Sequence, residues 1–241
     1  MRENHHIGTS GWSYYHWTGI FYPEGLEKKA WLSYYARWFN TVEINSTFYR
    51  LPFKNVVKGW KNKVPENFTF AVKGSKTVTH NKRLKNVKED VDKFIDRISL
   101  LESNLGVVLW QLPPSLKKDK ALLEDFLKVL PKNMRHSIEF RHKSWFDDEI
   151  YSVLEDHDIA FCIVDSKKLK SPWIKTASFV YVRFHGPEKL YASEYSEEYL
   201  KNIAEKLLEM NVESFIYFNN DFEGYAIKNA RFLKEILCGG E

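Results

Sequence analysis

A short apolar run that closes on a polar or charged residue, followed by a stretch with helical patterning, recurs along most of the 241 residues. The runs are Ile7–Ser10, Thr41–Asn45, Phe68–Lys73, Leu105–Gln111, His136–Arg141, Ile159–Asp165, Ser178–His185 and Ser214–Phe218. Helices are expected over Ala30–Phe39, Asn55–Lys63, Val87–Leu101, Ala121–Leu130, Asp147–His157, Glu197–Met210 and Tyr225–Leu237. The clearest is Val87–Leu101, with Val91, Phe94, Ile95, Ile98 and Leu101 on one stripe. The link between the sixth and seventh strands has the weakest helical pattern. Strand and helix in this alternation predict a parallel sheet, and eight such units fit a closed TIM-type (β/α)8 barrel of the α/β class. The whole chain, 1–241, reads as one domain. An open doubly wound sheet would need a phosphate-binding glycine fingerprint after the first strand, and Gly8 and Gly11 do not make one.

Side chains alternate between the two faces of a strand, so each run can be split. In TVEINSTFYRLP, Thr41 to Pro52, Val42 and Ile44 share one face while Thr41, Glu43 and Asn45 share the other. The same division recurs: one face is apolar, and the other turns polar toward the C-terminal end of the strand. The polar ends supply Glu43, Asn45, Lys73, Gln111, Glu139, Arg141, Asp165, Arg183, His185 and Asn219, with Asn220 beside the last. Asp165 is placed in the inward phase of its strand. Barrel enzymes build their sites at this end from several strands, so these residues predict one ligand site.

Its chemistry is mixed. Glu43 and Glu139 are candidates for acid and base work, with Asp165 and His185 orienting. Lys73, Arg141 and Arg183 suit an anion, Arg bidentately. His80 lies on the polar loop that follows Lys73. Trp12, Tyr49 and Trp145, with Tyr14, form an expected aromatic rim suited to stacking on a sugar or base. Any cofactor is left open. A divalent metal is the less favoured alternative, because the cations oppose it and imidazoles are few. No P-loop, GxSxG elbow or HExxH motif occurs.

The formal charge of +4 does not by itself argue for nucleic acid. Cys162 and Cys238 are far apart and suggest neither a disulfide framework nor a zinc site. The opening MRENHHIG is polar, and no apolar run approaches the roughly 20 residues of a membrane span. A soluble, cytoplasmic protein without membrane partners is expected; the oligomeric state is not legible.

Six segments resemble the YecE-like family, also called domain of unknown function 72. They are GTSGWSYYHWTGIFYP at Gly8–Pro23, VEINSTFYRLP at Val42–Pro52, FAVKGSKTVTH at Phe70–His80, IEFRHKSW at Ile138–Trp145, YVRFHG at Tyr181–Gly186 and YFNND at Tyr217–Asp221. The resemblance spans nearly the whole chain and implies a TIM-type barrel. It also implies a distant relation to the barrels that include xylose isomerases and endonuclease-IV-type repair enzymes, although the histidine-rich metal set of those enzymes is missing here. Three functions remain to be weighed. The leading one is an enzyme acting on an anionic substrate, either a phosphorylated sugar or a nucleic-acid phosphodiester. The second is a non-catalytic DNA- or RNA-binding module using Lys76, Lys82, Arg83 and Lys85. The third is a metal-dependent sugar isomerase or nuclease.

Overall fold

The computed structural model describes residues 4–239. Its eight strands are β1 (His5–Thr9), β2 (Thr41–Ile44), β3 (Thr69–Lys73), β4 (Leu105–Gln111), β5 (Arg135–Glu139), β6 (Ala160–Asp165), β7 (Phe179–Phe184) and β8 (Glu213–Phe218). All ladders are parallel, in the order β1-β8-β7-β6-β5-β4-β3-β2. Between β1 and β2 a single bridge, Ser10 to Glu43, closes the barrel, with the Gly11 amide donating to the Glu43 carbonyl at 2.8 Å.

That seam is held by a side chain. The Tyr35 hydroxyl accepts the Thr9 amide at 2.9 Å and donates to the Thr41 carbonyl at 3.2 Å. It stands where ladder bonds would otherwise run. Gly8 lets the two strands approach, since a Cβ there would lie 2.2 Å from the Thr41 carbonyl oxygen.

The alternation sorts the two layers. Val42, Ile44, Val180, Val182 and Phe184 join the large core between sheet and helices, while Ala71, Val107, Leu109, Cys162, Val164, Phe179, Tyr181, Phe215 and Tyr217 fill the lumen. At the N-terminal end His6 stacks on Phe215, and the Arg135 guanidinium lies 5.6 Å from the rings of Phe179 and Phe215. That end is plugged, so the lumen can receive a ligand only from the opposite mouth.

The outer helices are α1 (Trp31–Tyr35), α2 (Ser46–Tyr49), α3 (Lys54–Lys61), α4 (Lys88–Ile98), α5 (Lys120–Lys128), α6 (Asp148–Glu155), α7 (Glu197–Met210) and α8 (Tyr225–Cys238). Asp119, Asp147 and Ser196 cap α5, α6 and α7 by accepting backbone amides. The helix expected over Ala30–Phe39 is shorter, because Tyr35 is drawn into the seam; Trp38 is left 40% exposed, beneath the Arg231 guanidinium. No helix joins β6 to β7. The connecting loop instead offers hydroxyls to β6: Ser171 accepts the Val164 amide at 2.8 Å and Thr176 the Phe161 amide at 2.7 Å. No helix among the described residues is long and apolar enough to cross a membrane.

Candidate functional site

Four strands deliver ionisable side chains to the C-terminal mouth, because each has its inward phase at its last polar position. Arg183 on β7 is the centre. Its Nη2 donates to Glu43 of β2 at 2.6 Å and its Nη1 to Glu139 of β5 at 2.5 Å. All three are wholly buried. Glu43 also accepts the Tyr181 hydroxyl at 2.6 Å and the Ser10 hydroxyl. Glu139 accepts the Gln111 amide at 2.9 Å and pairs with Arg141. Burial works to raise the pKa of Glu139, but the Arg141 and Arg183 guanidiniums outweigh it and hold the carboxyl well below the usual range.

His185 sits on the same floor, fully buried. Burial, Arg183 and Arg141 push its pKa well below the ordinary histidine value, so the ring is neutral. Arg141 Nη2 lies 3.0 Å from His185 Nε2, and a guanidinium only donates, so Nε2 is the acceptor. On the other side of the ring, the Asn219 Nδ2 lies 3.2 Å from Nδ1.

Lys73, at the end of β3, lies half-buried above this floor. Its Nζ is 4.3 Å from the centre of the Phe48 ring and makes no ion pair among the described residues. Burial and the Arg183 charge lower its pKa to about 8. His80 packs edge-on against the same Phe48 ring at 5.0 Å, with Nδ1 2.9 Å from the Thr79 hydroxyl. Burial, followed by the charges of Lys73 and Arg141, lowers the His80 pKa as well. Asn45, beside Glu43, has a buried side-chain oxygen without a partner among the described residues.

Several expected members stand elsewhere. Asp165 points outward, since it is Cys162 and Val164 that face the lumen. It accepts the hydroxyls of Tyr195, at 2.9 Å, and Tyr199, and so anchors α7 to the barrel. Trp145 is not a rim residue. It is fully buried, stacked on Phe140 at 4.8 Å, with its indole N–H donated to the Leu116 carbonyl. Asn220 donates to the Ser193 carbonyl and to Asn229 of α8, both at 2.9 Å, behind the mouth. Tyr49 is 72% exposed, and Trp12 packs edge-on against Trp60. On the loop after β3, Lys82 is paired with Asp90 and Arg83 with Ser115, so two of the cations a nucleic-acid reading relied on are already engaged.

Three contributors were not singled out from the sequence: Ser10, Phe48 and Tyr181. Tyr181 was legible, because it lies two positions before Arg183 and shares its phase. A divalent metal does not fit this donor set. Glu43 and Glu139 are spent on Arg183, Asp165 faces away, and no three His, Cys, Asp or Glu among the described residues are grouped to hold an ion. A surface hollow of about 780 Å³ lies at the plugged end, lined by Pro131–His136 and Glu155–Ile159, far from the convergent charges.

Over residues 6–240 the chain matches the family described as protein of unknown function DUF72. It is similar to UPF0759 protein YecE of Escherichia coli K12, at 32% identity over 142 residues. That match covers 58% of this chain and 50% of YecE, so it spans about half of that relative. It is also similar to UPF0759 protein YunF of Bacillus subtilis strain 168, at 26% identity over 96% of this chain and 94% of YunF. Among solved structures, a DUF72 family protein from Thermotoga maritima superposes with a TM-score of 0.88 at 35% identity, over 97% of this chain and 98% of that one. A second, from Enterococcus faecalis, has a TM-score of 0.84 at 23% identity, over 97% and 95%, and supports the fold alone. On the extent of these matches, the chain belongs to the DUF72 family.

Proposed function

We propose that this barrel is an enzyme that acts on a small phosphorylated substrate at its C-terminal mouth. The observation that supports this is the order of charges. Glu43 and Glu139 are both met on the floor by Arg183, which leaves one negative charge, and two further cations, Arg141 paired with Glu139 and Lys73 unpaired among the described residues, lie on the solvent side. Arg141 keeps 15% of its side chain exposed although it is paired with Glu139. Three cations against two carboxylates leave the pocket with one net positive charge, His185 being neutral. A phosphate placed there would take charge-assisted hydrogen bonds from a guanidinium and an ammonium. In this reading Glu43 and Glu139 remain ionised and fix Arg183. Proton transfer falls to groups that titrate nearer neutrality, Lys73 first among them.

The test is calorimetric titration of inorganic phosphate and ribose 5-phosphate into the wild type and Arg141→Met. A charge-assisted bond contributes about 1.5–3 kcal/mol, so the variant should bind about 10- to 100-fold more weakly. Equal affinity in the two proteins would remove the mouth as the anion site.

A further inference from the structure

Lys73 differs from an ordinary anion-holding lysine in its surroundings. It projects half-buried from the end of β3 over the Phe48 ring, has no ion pair among the described residues, and is faced by two cations and two carboxylates. Arg183 and Arg141 face it from β7 and from the end of β5, and His80 from the loop after β3. Glu139 and Glu43 also face it, but both are committed to Arg183. The Phe48 ring covers the amine on one side. Desolvation beside other cations is the arrangement that makes a lysine amine nucleophilic at neutral pH.

Resting on the phosphate-binding reading above, we propose that Lys73 is a carbonyl-capturing nucleophile, forming a Schiff base with a phosphorylated aldehyde or ketone whose phosphate lies against Arg141. The nitrogen lone pair of the free amine forms a bond to the carbonyl carbon, and the C=O π pair moves to oxygen. The amine gives up its two protons to that oxygen, which leaves as water as the C=N bond forms. No oxidant or reductant is required. His80 packs edge-on against the same Phe48 ring. A lowered amine pKa of about 8 leaves an appreciable fraction of free base near neutral pH.

The test is competitive labelling of the whole protein. Pyridoxal 5-phosphate, a phosphorylated aldehyde, is added below stoichiometry with cyanoborohydride, and peptide mass spectrometry reports which lysines are reduced to stable adducts. Lys73 should be labelled at least 10-fold faster than exposed lysines such as Lys29 or Lys93, and excess inorganic phosphate should suppress that labelling alone. Labelling spread over the surface lysines, with Lys73 no faster than the rest, would overturn the proposal. Phosphate titration of Lys73→Arg separates this failure from failure of the function itself. That variant keeps the cation and should still bind phosphate, whereas absence of phosphate binding in the wild type would sink both readings.

Discussion

The guanidinium of Arg183 meets Glu43 through one nitrogen and Glu139 through another, with no solvent at any of the three. Such an array is costly to desolvate and more costly to leave incomplete. Glu139→Gln would strip Arg183 and Arg141 of a shared counter-charge. Unfolding in urea should show a loss of about 3 kcal/mol, the low end for breaking a buried pair. The same change raises the net charge of the pocket, so inorganic phosphate should bind more tightly; weaker binding, with the fold intact, would contradict the assigned charge order. Glu43, Glu139 and Arg183 were readable as partners because strict alternation placed them on one face of strands whose other face is apolar. Asp165 was misplaced for a physical reason. Its strand, AFCIVD, is apolar on both faces, so periodicity cannot say which face meets the lumen. Trp145 misled in a similar way: a tryptophan after a strand reads as a rim residue until its indole N–H is seen to find the Leu116 carbonyl in the loop between β4 and α5.

At the level of elements, the seam between β1 and β2 is the place where the sheet closes with least backbone pairing. Gly8→Ala would drive a methyl group into the Thr41 carbonyl, and overpacking of this kind costs about 1–3 kcal/mol. Tyr35→Phe would leave the buried Thr9 amide without its acceptor, at a similar cost of about 1–3 kcal/mol. Since Ser10 and Glu43 form the closing bridge, both changes should also weaken phosphate binding; thermal melts paired with titration would show the two losses together, and a destabilised variant with unchanged affinity would uncouple seam from site. The long helices were legible from their apolar stripes. The seam was not, because a tyrosine hydroxyl replacing ladder bonds leaves no periodic trace. The missing helix between β6 and β7 was foreshadowed only by a weak pattern; Ser171 and Thr176 bind strand amides there in a way composition does not reveal.

Across the whole molecule, acid should act first through buried neutral histidines. Burial lowers the His136 pKa to about 4, with Trp110 donating to Nδ1 and the Nε2–H facing the Pro131 carbonyl. His185 is shifted in the same direction. Their folded pKa values lie below the unfolded value near 6.5, so the unfolded chain takes up protons first. Their contribution is fully present above about pH 6.5 and is lost as pH falls, for His136 down to about pH 4. Glu139, depressed in the fold, adds a further loss only below its unfolded pKa of about 4.3. Urea midpoints should therefore fall steadily from pH 7 to 4, more shallowly in His136→Gln; a flat profile over that range would contradict the neutral buried rings. The barrel topology itself was the most legible property, because it is written eight times over, whereas the compensation of charges needs coordinates.

The claim on which the rest depends is that Lys73 and Arg141 are the anion-binding cations on the solvent side of the mouth. A crystal soaked in tungstate, a heavy tetrahedral anion, tests it directly by anomalous scattering. The account predicts a peak within hydrogen-bonding distance of both Lys73 Nζ and the Arg141 guanidinium, lost in Arg141→Met. A mouth without a peak, while the anion occupies the hollow lined by Pro131–His136 at the opposite end, would contradict it.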